Sequence, residues 1–193
     1  MNDSPIPDKP KIHSALEAKS REIGFTMASD LYTGSLLKTL VTSKPQSNLL
    51  ELGTGTGLSL SWMIDGMDEN STLTTVDNDP KLSEMARHFF GEDKRVHIVC
   101  ADGAEWIKSY DGEKFDLIFA DAWPGKYSEI DEILDLVKAG GFYIVDDMSP
   151  QLNWPEGHQE YVDRLVEYLE SREDFNLTKM NWSTGIVIAA KRY

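Results

Sequence analysis

The stretch from Asn48 to Leu58, NLLELGTGTGL, limits the fold more than any other part of the chain. Asn48 to Leu52 predicts a short buried strand. Gly53, Gly55 and Gly57 make a turn with no side chains in the way, and Leu58 to Ile64 predicts a helix. Bare backbone ahead of a helix N-terminus lets a ligand approach unpaired amides. Strand, glycine turn and helix are therefore the front of a nucleotide-binding βαβ unit.

The rest of the chain repeats that alternation. Strands are predicted at 73–77, 96–101, 115–121 and 142–147, separated by helices at 80–90, around Trp106 and Ile107, and at 127–137. Leu82, Met85, Ala86, Phe89 and Phe90 fall at helical spacing, and Asp102 is placed to cap the helix that follows it. Further helices are predicted over Lys11–Ile23, Asp30–Val41 and Glu156–Ser171. Phe175–Trp182 and Gly185–Ala190 read as strands with only Ser183 and Thr184 between, a connection that suits antiparallel neighbours. The expected fold is α/β: a single Rossmann-like, doubly wound sheet of seven strands, with helices on both faces. It is mostly parallel and carries a C-terminal antiparallel hairpin. Residues 1–10 read as a flexible arm and 11–193 as one domain.

Composition narrows the partners. A net charge of −14, from 19 basic against 33 acidic residues, argues against nucleic acid and against anionic lipid. No apolar signal core or membrane-spanning stretch is visible, so a soluble cytoplasmic protein is expected. Cys100 is the only cysteine and lies in an apolar run, which predicts a packed thiol rather than a disulfide, a metal site or a nucleophile.

Ligands of such sheets collect at the carboxyl ends of the strands. Here those ends carry the glycine turn, Asp77, Asp102, Asp121, Asp146 and Asp147. The third glycine comes one residue early for a dinucleotide fingerprint, and Leu60 stands where a small residue is expected, which disfavours NAD. Asp77, 24 residues after Gly53, suits both hydroxyls of a ribose. Asp102 could meet an adenine amino group or simply cap its helix.

The Glu51–Gly57 motif, Asp77, Asp102-Gly103-Ala104 and the terminal hairpin resemble a class I S-adenosylmethionine-dependent methyltransferase. The narrower resemblance is to O-methyltransferases of the catechol and caffeoyl-CoA type. It rests on Met27 with Gly34 and Leu36-Leu37, on Phe115–Ala122, on Gly140–Asp147 and on Gly185–Arg192. It implies methyl transfer from S-adenosylmethionine to a small-molecule hydroxyl, and a homodimer. It assigns the cofactor to Met27, Ser29, Glu51, Gly53, Thr54, Gly55, Gly57, Ser59, Asp77, Asn78, Asp102, Gly103, Ala104, Asp121 and Trp123. In that assignment Ser59 holds the cofactor's carboxylate, and Met27 and Ser29 close over its methionine end.

The resemblance also implies a divalent cation such as Mg²⁺ at Asp121, Asp146 and Asp147, three hard oxygen donors. Asp147 stands where the family has Asn. Neighbouring residues of a regular strand point to opposite faces, so Asp146 and Asp147 can share an ion only if the strand has ended. The family's lysine, three residues after the first ligand, is Pro124 here, and Lys126 comes two residues later. Lys126 either reaches the same point or remains a solvated lysine at a helix start. In the long loop 148–158, Asn153, Trp154 and His158 are candidates for the acceptor pocket. Asp121, Lys126 and His158 are thus the candidate catalytic groups, with His158 a base near neutrality or a surface residue. Two alternatives stay open: a metal-free methyltransferase with His158 or Lys126 as base, and a cofactor-binding protein without catalysis.

Overall fold

A computed structural model describes residue 2, residues 5–151 and residues 154–193. The chain runs α1 (His13–Glu22), α2 (Leu31–Thr42), β1 (Asn48–Leu52), α3 (Leu58–Gly66), β2 (Thr72–Asp77), α4 (Pro80–Phe90) and β3 (Val96–Cys100). It continues through α5 (Gly103–Ser109), β4 (Phe115–Ala120), α6 (Ile130–Asp135), β5 (Val137–Val145), α7 (His158–Ser171), β6 (Phe175–Met180) and β7 (Ile186–Lys191). One seven-stranded sheet has the order β3-β2-β1-β4-β5-β7-β6. β1 to β5 are parallel, whereas β7 runs antiparallel to both β5 and β6. The expected doubly wound sheet with its antiparallel hairpin is what forms.

Strand alternation builds two cores. Leu50, Leu52, Ile118, Ala120, Tyr143 and Val145 face α5, α6 and α7, where Ile107, Ile133, Leu134, Leu165 and Leu169 meet them. Leu49, Leu117, Phe119 and Ile144 face the other way, against Leu16, Leu37, Val41, Leu60, Met63 and Ala86 of α1 to α4. On that second face Gly34 lets α2 lie against α3: a Cβ there would fall 2.3 Å from Nε1 of the buried Trp62. Among the described residues no helix is long and apolar enough to cross a membrane. Of the expected N-terminal arm, Pro10 is buried and Asp8 pairs with Lys38 at 2.6 Å.

Three local expectations are corrected. Cys100 is exposed, because β3 is the outermost strand and Cys100 is its last residue. The helix expected over 127–137 shrinks to Ile130–Asp135: Glu129 takes a left-handed φ of 51°, and Val137 already pairs with Phe115 in the sheet. Of the last two strands the first ends earlier than expected, at Met180, and the second begins one residue later, at Ile186, leaving 181–185 as the connection, with Ser183 and Gly185 at φ of 59° and 85°.

Candidate active site

A cleft of about 670 Å³ opens over the carboxyl ends of the parallel strands. Its floor is the glycine turn. Gly53, Gly55 and Gly57 have φ of 94°, 51° and 85°, a region that side chains disfavour. At Gly53 space is also short, since a Cβ would sit 2.6 Å from the Asp121 carbonyl oxygen. The backbone of β1 therefore passes directly beside that of β4, and Asp121 N–H donates to the Leu52 carbonyl at 2.9 Å.

Asp77 is held over this turn. Its Oδ2 accepts from Gly55 N–H and its Oδ1 from Asp79 N–H, both at 2.9 Å. A carboxylate oxygen has a second lone pair, so Asp77 retains acceptor capacity toward the cleft it lines. Met27 (71% exposed), Gly53, Gly55, Asn78, Gly103 and Trp123 line the same cleft.

Several predicted residues stand behind the wall instead. Ser59 is buried and donates to Glu51 Oε1 at 2.6 Å, so its hydroxyl faces the core rather than a ligand carboxylate. Glu51 is fully buried and also accepts from Thr75 Oγ1 at 2.6 Å; Thr75 in turn shares a 2.6 Å hydrogen bond with Thr54. Burial raises the Glu51 carboxyl from 4.5 to about 7, against the two hydroxyl donors and with a smaller push from Asp77. Gly57 backs onto Phe90. Asp102 Oδ1 accepts from Glu105 N–H at 3.0 Å, the expected helix cap, with Ala104 inside the helix it starts. Ser29 reaches Asp121 Oδ2 at 3.2 Å.

The acidic end of the cleft is decided by where β5 stops. The strand ends at Val145, and Asp147 has a φ of 52°, so strand alternation no longer separates Asp146 from Asp147. They still diverge. Asp146 is 2% exposed and its Oδ1 accepts from Thr184 Oγ1 and from Asp147 N–H, whereas Asp147 lines the cleft with Asp121. Burial pushes all three carboxyls upward; for Asp121 and Asp147 the Lys126 charge opposes that shift.

Lys126 is no solvated helix-start residue. It is 5% exposed, donates from Nζ to the Asp146 carbonyl at 2.6 Å and lies 5.2 Å from the Tyr127 ring centroid. Although Pro124 stands where the family keeps lysine, an amine does reach the main chain at Asp146.

At the outer wall His158 opens α7, its Nε2 3.2 Å from the Tyr127 hydroxyl and its ring 4.4 Å from that of Trp154. Burial and the Lys126 charge lower the imidazole pKa, and Asp147 opposes them. Asn153 lies outside the described residues. Sequence reasoning missed Tyr127 and Thr184. An aromatic residue directly after Lys126 was a visible signal for the first; nothing local marked the second.

The cofactor test is favourable: the glycine cradle has no room for side chains, and Asp77 presents an acceptor above it. The metal test is not. Carboxylates suit a hard cation, yet among the described residues no three His, Cys, Asp or Glu side chains gather as a metal-holding group. The Lys126 amine at this end of the cleft meets the Asp146 backbone carbonyl.

Fold and cleft together define a class I, Rossmann-like methyltransferase fold. The chain belongs to the O-methyltransferase family, whose model matches residues 7–180. A provisionally named O-methyltransferase of Mycobacterium sp. (strain KMS) is 30% identical over 139 residues, 68% of this chain and 63% of that relative's length. The chain thus matches less than two thirds of that relative. Two solved structures share the fold. TomG of Streptomyces achromogenes, an O-methyltransferase involved in tomaymycin synthesis and solved with S-adenosylmethionine, has a TM-score of 0.85 at 22% identity, covering 98% of this chain and 93% of its own. The O-methyltransferase of Bacillus cereus, solved with S-adenosylhomocysteine, has a TM-score of 0.83 at 20% identity, covering 98% and 94%.

Proposed function

We propose that the protein transfers the methyl group of S-adenosylmethionine to a hydroxyl of a small molecule. The observation that carries this reading is that one cleft joins the glycine turn and Asp77 to Asp121, Lys126, Tyr127 and His158. When bound, the cofactor supplies an electrophilic sulfonium methyl.

The chain's own residues do the rest. Gly53 and Gly55 leave room for the amino-acid part, and Asp77 accepts from the ribose hydroxyls. Asn78 and Gly103 border the adenosine side, and Met27 and Trp123 flank the methionine end. An acceptor hydroxyl seated between Asp121 and His158 is excluded from bulk water by Trp123, Tyr127 and Trp154. Tyr127 orients the imidazole, and His158, kept neutral by burial and by the Lys126 charge, takes the hydroxyl proton. With that proton moved, the oxygen becomes the nucleophile.

Calorimetry with S-adenosylhomocysteine tests the binding half: affinity is expected for the wild type and should fall on Asp77→Ala. Methyl transfer from labelled cofactor to a panel of small hydroxylated compounds tests the chemistry. His158→Gln is expected to lower kcat by roughly 10²-fold or more at unchanged cofactor affinity. Wild-type rates in that variant would remove His158 as the base, and absence of S-adenosylhomocysteine binding would remove the whole reading.

A further inference from the structure

The last hairpin of the sheet reaches across to the loop that follows β5. Met148 N–H donates to the Gly185 carbonyl at 2.9 Å, and Ser149 N–H to the Thr184 carbonyl at 2.8 Å. The close approach requires glycine: Gly185 has a φ of 85°, and a Cβ on it would fall 2.3 Å from Ser149 Oγ. Loop and hairpin are thereby fixed to each other beside the cleft, which Thr184 lines.

Gln151 is seated in the angle between them. Its Nε2 donates to the Ser149 carbonyl at 3.0 Å and to the Thr184 carbonyl at 3.3 Å. A carbonyl oxygen only accepts, so both neighbours demand the nitrogen. The amide cannot be turned end for end without setting oxygen against oxygen. With both amide hydrogens engaged, Oε1 is the end left to receive a donor, and among the described residues none supplies one. Gln151 lines the cleft together with Trp154 and His158, and its own carbonyl accepts from Trp154 N–H at 3.3 Å. It therefore belongs to the wall that carries the proposed base.

The geometry points to Gln151 Oε1 as a specificity-determining acceptor, which takes a hydrogen bond from a second O–H or N–H on the molecule whose hydroxyl is methylated. The substrate class narrows from any hydroxyl compound to one with at least two donor groups, one reacting and one held. The inference rests on the methyl transfer proposed above. An oriented acceptor discriminates because a molecule without the matching donor displaces its water and returns no hydrogen bond. The two main-chain carbonyls have already ordered this amide, so little freedom is lost when a ligand meets it.

The test is methyl transfer from labelled S-adenosylmethionine by the full chain, on matched pairs of small hydroxyl compounds. In the second member of each pair one non-reacting O–H or N–H is replaced by hydrogen. The wild type is expected to show a kcat/KM roughly tenfold or more higher for the member that keeps the second donor. Gln151→Met keeps the length of the side chain but lacks a strong acceptor. It should bring the two members to within about twofold of each other at unchanged S-adenosylhomocysteine affinity. A residue that only tied the loop to the hairpin would slow both members alike and leave their ratio intact, and that result would overturn the inference. Equal or inverted preference in the pairs that the wild type turns over would overturn it too, and this measurement stands even if Gln151→Met does not fold. Absence of S-adenosylhomocysteine binding, or of turnover with every compound, would remove the proposed function and this inference with it, whereas turnover without the expected ratio removes the inference alone.

Discussion

Replacing Glu51 by Gln should make the protein more stable at pH 8 and leave it nearly unchanged at pH 5. Glu51 is completely buried under the glycine turn, and its carboxyl is raised from 4.5 to about 7. Because the folded value lies above the unfolded one, the native chain holds this proton longer. Between about 4.5 and about 7 it binds more protons than the unfolded chain, so stability falls as pH rises and the loss is complete above about 7. Each tenfold change in proton affinity corresponds to about 1.4 kcal/mol, so the ionised carboxyl costs the native state about 3 kcal/mol. Gln carries no such cost, and the hydroxyl network can receive it. With the amide nitrogen toward Thr75, the Thr75–Thr54 hydrogen bond reverses so that Thr75 donates, while Ser59 still donates to the amide oxygen. For a chain of this size about 3 kcal/mol is roughly 6–12 °C in melting temperature. The assay is thermal unfolding of both proteins, without ligand, from pH 5 to pH 8. Asp121 is also pushed upward by burial, but it is common to both proteins and cancels in their difference. Parallel curves for wild type and variant across that range would refute the argument, because the pH dependence would then come from elsewhere.

Other perturbations follow from single contacts. Gly34→Ala forces a methyl into the buried Trp62 ring, which His13 holds from another side at 5.6 Å, and should cost about 1–3 kcal/mol; an unchanged melting temperature would show that α2 and α3 do not meet there. Gly53→Ala combines a φ of 94° with a clash on the Asp121 carbonyl, so calorimetry should show S-adenosylhomocysteine affinity reduced by about tenfold or more in a variant that still folds. Cys100, exposed on the edge strand, should react with a colorimetric thiol reagent in the native protein as fast as in denaturant. Protection until unfolding would contradict the placement of β3.

Much of the architecture was legible because its signals are local. Leu49 and Leu50 alternate in a way that any strand must express, and Gly53, Gly55 and Gly57 sit where left-handed backbone is needed. Asp102 capping α5 is likewise a relation between residues three apart. The misreadings share one cause. Val137 completes the apolar spacing of a helix, yet it pairs with Phe115 because α6 has already ended. The apolar run around Cys100 looks like a buried strand, but burial depends on which strand lies outside it, and none does. Ser59 is well placed along the chain for a ligand, and only the side chain of Glu51 across the turn shows that its hydroxyl is engaged.

The sequence by itself determined the doubly wound sheet, the glycine turn with Asp77 above it, and the gathering of acids at the strand ends, because periodicity, turn chemistry and strand order along the chain are properties of neighbouring residues. Only the tertiary structure decided what those acids face. The inward course of Lys126 depends on Gly125 meeting Leu52 and Tyr143, and the divergence of Asp146 from Asp147 depends on Thr184 of the final hairpin. A buried charge is settled by partners that lie far apart in the chain, and folding is what brings them within reach.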